Sequence, residues 1–205
     1  MSDIFVDNIK HQSSQGSGTI TIGASGETVA LAAGATQSGF GLSGWSEDGA
    51  NNNLLPASAS AGIYLGVNSA TASNLLDDYE EGTWTPSFIF TSGSITTNTN
   101  GGLYIKIGNL VYIVVQVAVA SVSSPSGDFR ISSLPFTPDV SSGFTPAFAM
   151  SYYDWNSGTY FLNGELNGGN SNIYIYSNNN GVRTNPGSLI KGGSQFHLTG
   201  SYIST

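Results

Sequence analysis

Leu103-Tyr104-Ile105-Lys106-Ile107-Gly108-Asn109-Leu110-Val111-Tyr112-Ile113-Val114-Val115-Gln116-Val117-Ala118-Val119 decides how the rest of the chain reads. Gly108-Asn109 is a two-residue turn between two strand-like runs, so the stretch predicts a β-hairpin. The first run alternates apolar and polar residues. The second is almost entirely apolar, which predicts burial on both faces. A small domain has few ways to cover the second face, and a neighbouring subunit is one of them.

Working outward, further strand-like runs follow the same style. They are Trp84–Phe90, Asp128–Ile131, Thr145–Ser151, Thr159–Leu162, Ile173–Tyr176 and Gln195–Ile203. Asn163-Gly164, Asn167-Gly168 and Asn180-Gly181 predict turns that tolerate positive φ. Gly101-Gly102, Ser157-Gly158 and Gly192-Gly193 also read as turns, because no phosphate-loop pattern occurs. About eight strands in about 120 residues predict an antiparallel β-sandwich or jelly roll over residues 82–205.

Upstream, residues 45–81 read as a connector. Ser46-Glu47-Asp48-Gly49 and Asn51-Asn52-Asn53 are loop material, Gly62–Val67 is strand-like, and Ser73 or Asn74 is placed to cap a short helix. Residues 1–44 form an arm with two short alternating pieces, Thr19–Ile22 and Thr28–Leu31. Strands this short cannot bury a core alone, so the arm is expected to order against a partner. The expected fold class is therefore all-β: an N-terminal short β arm and connector, then the C-terminal sandwich.

Composition narrows the function. Only 9% of residues are charged and the net charge is −8, while 39% are hydrophobic, including ten Tyr and ten Phe. That is enough apolar material for a core, unlike a disordered chain. Five Lys and Arg residues give no cationic footprint for nucleic acid or for an anionic bilayer. There is no Cys, which excludes disulfides and thiolate metal sites. No run approaches the ~18 apolar residues of a membrane span. Met1–Val6 lacks the charged and apolar regions of a signal peptide, so synthesis in a cytoplasm is expected.

Three motifs occur in order: Leu75-Leu76-Asp77-Asp78-Tyr79-Glu80-Glu81-Gly82-Thr83-Trp84-Thr85-Pro86, then Tyr104-Ile105-Lys106-Ile107-Gly108-Asn109-Leu110-Val111, then Ile131-Ser132-Ser133-Leu134-Pro135-Phe136. The trio resembles the C-terminal domain of bacteriophage tail-fibre proteins of the marine-phage type. Ile4-Phe5-Val6-Asp7-Asn8-Ile9 and Gly26–Phe40 resemble the N-terminal part of similar virion proteins. The resemblance implies a structural virion protein and a trimer. It does not separate a tail fibre from a head fibre or capsid decoration protein. Almost no shaft lies between the ends, so the fibre should be short.

The chemistry of particular residues completes the expectation. Asp77, Asp78, Glu80 and Glu81 allow three readings: a glycosidase carboxylate pair as in a small polysaccharide depolymerase, a hard-cation site, or a solvated acidic connector, which is preferred. His11 and His197 show no spacing for a nucleophilic triad. No catalytic residue, metal or cofactor is expected. Receptor contact is assigned to two groups suited to a host surface glycan or protein: Tyr152, Tyr153, Asp154, Trp155 and Asn156, whose rings and amides suit sugars, and Asn178, Asn179, Asn180 and Arg183. Core packing is the rival reading of Trp155. Virion anchoring, on other phage proteins, is assigned to Ile4, Phe5, Val6 and Ile9.

Overall fold

A computed structural model of the chain describes residues 45–47, 54–58, 61–139, 141, 143–156, 161–166 and 171–205. The expected arm, with Ile4, Phe5, Val6 and Ile9, lies outside the described residues, as do Asn51–Asn53, Ser157–Tyr160 and Asn167-Gly168.

The chain divides into two units, residues 1–57 and 58–205. The described part of the first is a small antiparallel pair, β1 (Trp45–Glu47) and β2 (Leu54–Pro56).

The second unit begins with β3 (Ile63–Tyr64) paired to β4 (Leu75–Leu76). The helix expected near Ser73 is a single 3₁₀ turn, Ala72–Asn74. No side chain caps it, and Leu75 at φ −81°, ψ 121° returns the backbone to extended form. The strand expected over Gly62–Val67 shortens to two residues.

Eight strands build the main sheet: β5 (Tyr79–Trp84), β6 (Ser87–Ile107), β7 (Leu110–Ser132), β8 (Ala147–Tyr153), β9 (Phe161–Leu166), β10 (Ile173–Asn179), β11 (Val182–Thr184) and β12 (Gln195–Ile203). Their order is β11-β10-β9-β8-β12-β7-β6-β5, all antiparallel. An added pairing, Ile173↔Ile131 to Ile175↔Phe129, joins β10 to the far end of β7 and closes a barrel. Its ring runs β7-β12-β8-β9-β10 and back to β7.

Closure depends on the length of β7. Its first half pairs with β12 and its last residues pair with β10, while β6 accompanies it along both parts. The sequence reading divides this ribbon into four short strands with loop between. Instead Thr91–Gly102 and Ala120–Gly127 stay paired, and Gly101-Gly102 lies inside β6 rather than at a turn. Register shifts between Phe90 and Thr99 mark β-bulges, which bend and twist the ribbon. Hydroxyls help to hold the bend: Thr91 Oγ1 accepts from the Asp128 N–H at 2.9 Å, and Thr96 Oγ1 meets Ser121 Oγ at 2.7 Å.

The turn at Gly108-Asn109 is present, with Gly108 at φ +56°, the conformation glycine takes in the first central position of a II′ hairpin. Asn163-Gly164 is not a turn but lies within β9. A Cβ on Gly164 would stand 2.9 Å from Ile173 Cγ2 and from Leu198 Cδ1, so the glycine serves close packing. Asn180-Gly181 does turn, between β10 and β11, with Asn180 at φ +50°.

The core lies inside the barrel. Val111, Ile113, Val115, Val117 and Val119 face it, with Phe129, Ile131, Phe148, Ile173, Ile175, Phe196 and Leu198. Phe129 sits among the rings of Phe88, Phe90, Phe196 and Trp155, at 5.1–6.3 Å between centroids. Tyr202 is buried beneath the Leu134–Phe136 segment. Its hydroxyl donates to the Phe136 carbonyl at 3.0 Å and accepts from the Phe136 N–H at 3.2 Å. Burial pushes the Tyr202 phenol up to about 12, against a smaller opposing effect of the bond to Phe136.

Candidate functional site

The apolar run Leu110–Val119 is buried on one face only within the chain. Its even-numbered residues point away from the core, and Leu110 and Tyr112 are exposed. Register places similar residues beside them: Ile107 and Ile203 flank Leu110, Ile105 flanks Tyr112, Leu103 flanks Val114, and Tyr79 flanks Ile107. The result is an outward apolar patch over β5, β6 and the start of β7 that reaches Ile203 of β12 and is edged by Thr83, Gln116, Thr199 and Ser201. The charge embedded in it is Glu81, whose carboxylate accepts from the Tyr79 hydroxyl at 2.8 Å. That bond raises the Tyr79 pKa above the usual phenol value.

The acidic motif leads into this surface; Asp77 is exposed, and Asp78, Glu80 and Glu81 each bond to a different partner. Asp78 forms an ion pair with Lys106, which is buried and lies 5.3 Å from the Phe136 ring centre. Glu80 accepts from the Tyr104 hydroxyl at 2.5 Å, which raises the Tyr104 pKa. Glu80 and Glu81 are adjacent on β5, so strand alternation sends them to opposite faces. Glu80 and Glu81 therefore do not flank one substrate bond, whereas Asp78 and Glu80 bond to Lys106 and Tyr104, which share one face of β6. Among the described residues, no group of three or more His, Asp or Glu side chains is arranged to hold a metal ion. His197 neighbours Gln116 and Ser151 across the sheet, with Nδ1 3.5 Å from Ser151 Oγ.

The first group of receptor candidates is tied into the barrel. Tyr152 and Tyr153 end β8. Asp154 pairs with Lys191 at 2.5 Å, and its carbonyl accepts from Ser194 Oγ at 2.9 Å. Trp155 is half-buried against Phe129, Phe196 and Tyr152, and its Nε1 donates to the Gln195 carbonyl at 3.3 Å. Asn156 donates twice, through its N–H to the Leu189 carbonyl and through Nδ2 to the Ser188 carbonyl. Tyr153 is the ring of this group that stands open to solvent.

The second group sits on a different surface, the outward side of β9, β10 and β11. Asn179 and Asn180 lead into the turn. Asn178 Nδ2 donates to Asn163 Oδ1 at 2.8 Å. Arg183 forms an ion pair with Glu165 and lies 3.3 Å from the Tyr176 ring centre. Tyr176 stacks on Tyr174 with centroids 6.2 Å apart and planes 13° from parallel. Arg130 completes the row, 5.2 Å from the Tyr174 ring centre and 3.7 Å from Asp128. The sequence reading found Asn178 and Arg183 but not Tyr174, Tyr176 or Arg130. A signal was present: in Ile173-Tyr174-Ile175-Tyr176, period two puts both tyrosines on one face.

Comparison with solved structures adds a relationship to the fold. No protein-family model matches the chain, and no curated protein matches it. Among solved structures, the chain is similar to the Dettilon tailspike protein (gp208), at 29% identity and a TM-score of 0.54. The match covers 61% of this chain and 24% of that one. The chain thus shares an all-β fold with part of a phage tailspike protein, spanning about a quarter of that protein's length.

Proposed function

We propose that this chain is a non-catalytic structural protein of a phage tail, a short fibre that works as a homotrimer and holds a host surface glycan. The observation that carries the reading is the 29% identity to a tailspike protein, joined to an all-β fold. The outward apolar surface of β5, β6, β7 and β12 supports self-association. Its seven large side chains (Tyr79, Leu103, Ile105, Ile107, Leu110, Tyr112 and Ile203) are each about half exposed. Together they present on the order of 600 Å² of apolar area, at the upper end for a monomer and close to one side of a standard interface. With only Glu81 charged, the surface suits a like surface of a second and a third copy.

In this proposal residues 1–44 attach the fibre to other virion proteins through Ile4, Phe5, Val6 and Ile9. Immunogold labelling of intact particles tests the placement. Label at the tail is the expected result; label on the capsid would replace this reading with a head fibre or decoration protein. Light scattering on the purified chain should give three times the mass of 21.3 kDa. Steady release of reducing sugar from host polysaccharide would overturn the non-catalytic part.

A further inference from the structure

We propose that the outward side of β9, β10 and β11 is a binding surface for a neutral oligosaccharide, with Phe161 as its stacking ring. The inference rests on the glycan-binding reading above and goes further by naming the surface and the charge class of the ligand.

The backbone sets the layout. Alternation turns Phe161, Asn163 and Glu165 outward on β9, and Tyr174, Tyr176 and Asn178 outward on β10. Register makes Phe161 a direct neighbour of Asn178, Asn163 of Tyr176, and Asn178 of Arg183. Directly opposed side chains stand about 5 Å apart, close to the width of one sugar ring. A pyranose lying on Phe161 therefore reaches the Asn178 amide and the groups beside it.

The rings divide the work. Tyr174 and Tyr176 cover one another, and Arg130 and Arg183 cap the outer ends of the stack. Their faces are occupied, so they offer a ligand only their hydroxyl-bearing edges. Phe161 is the opposite case. It is 77% exposed and has no ring contact among the described residues. A lone exposed phenylalanine is ordinary. One set beside a row of amides, phenols and a guanidinium has the two parts a sugar needs: an apolar face for its C–H groups and fixed donors and acceptors for its hydroxyls. The stack holds those groups on strands, so little side-chain freedom is lost on binding.

Charge selects the class. The chain's two arginines both stand here, yet each has a carboxylate partner: Glu165 for Arg183 and Asp128 for Arg130. The surface is locally neutral within a chain of net charge −8. An acidic sugar would find no spare cation and would meet a repulsive field. A neutral hexose or N-acetylhexosamine would meet paired, pre-oriented polar groups.

The test uses the full chain on an array of neutral hexose and N-acetylhexosamine oligosaccharides beside sialylated and uronic-acid-containing ones. Wild type should bind neutral spots. Phe161→Ala should weaken that binding tenfold or more, Phe161→Trp should keep it, and Tyr176→Phe should cost severalfold, all with unchanged oligomer mass. Neutral-glycan binding undiminished in Phe161→Ala and Tyr176→Phe would overturn this surface while leaving the glycan-binding reading standing. Binding confined to acidic spots would overturn the charge class. A wild-type chain that binds no glycan would overturn both readings together.

Discussion

Two outward surfaces of one barrel contrast sharply. Where β5, β6, the start of β7 and the end of β12 meet, the outward residues are mainly Leu, Ile and Tyr, with Glu81 as the embedded charge. Across β9, β10 and β11 they are Tyr, Asn, Glu and Arg, with the ions paired. Behind the first surface, β7 and β12 turn Val, Ile, Leu and Phe into the barrel, while β5 and β6 turn Trp84, Tyr104 and Lys106 inward; behind the second, β9 and β10 turn Leu162, Leu166, Ile173 and Ile175 inward. Strand alternation therefore gives the sheet two unlike exteriors: a face with little to offer water, and one of paired ions, stacked phenols and amides.

The contrast breaks completely if the shared core fails. Phe129→Ala removes the ring at the centre of the aromatic cluster and should cost about 3–5 kcal/mol. Chemical denaturation would read the loss, and both self-association and glycan binding should fall together. Loss of only one would mean that the two surfaces do not depend on the same core.

A narrower change should abolish one surface and spare the other. Ile105→Asp places a second negative charge beside Glu81, its neighbour on β5. Like charges in contact at an interface disfavour assembly. Light scattering should show monomers, with thermal unfolding of the barrel nearly unchanged. A mass that stays threefold would move the subunit contact elsewhere.

Tyr202 sharpens the comparison from beneath, because it belongs to the core and to neither surface. Its folded pKa of about 12 lies above the ordinary phenol value of 10. The folded state therefore holds a proton that the unfolded state releases first. The associated stability is fully present below pH 10 and is lost as the pH rises through about 12, to the extent of about 3 kcal/mol. Urea midpoints should fall across that window, and Tyr202→Phe should flatten the fall. An equal fall in the variant would assign it to other groups.

The smallest effect is expected at Phe161. Its exposure means that Phe161→Ala should shift stability by no more than about 0.5 kcal/mol. A large loss in a melting experiment would show that the ring packs against something, and it would then be unsuited to a ligand.

What the sequence made legible follows from period and polarity. The hairpin at Gly108-Asn109 was readable because apolar alternation flanks a turn pair of the right length. The middle of the ribbon was not. Apart from Ile95, Thr91–Gly102 is Ser, Thr, Asn and Gly on both faces, so no period separates a solvated strand from a loop. Asn163-Gly164 carries the signature of a turn, yet its glycine is there to let β9 pass Ile173 and Leu198. The apolar run of β7 suggested burial on both faces, and the chain itself covers one. At the second surface, Arg183 and Asn178 stood out as polar groups near a turn. In sequence Tyr174 and Tyr176 look like ordinary strand residues, and Arg130 comes from β7, more than 40 residues earlier, which only the closing β10–β7 pairing brings alongside.

That closing arrangement bears on synthesis. β12, the last strand of the sheet, does not add to an edge; it sits between β7 and β8. While a ribosome is still making the chain, β7 has its partner β6 but presents an open, apolar edge where β12 belongs. β8 waits in the same condition. The ring can close only when Gln195–Ile203 emerges, about 65 residues after the end of β7. Nascent chains on one message spend that interval with matching vacant edges close together. Such vacant edges are where a strand of one chain could enter another, so slowing translation over β8 to β11 is expected to raise the share of interlinked chains, read as excess mass in light scattering.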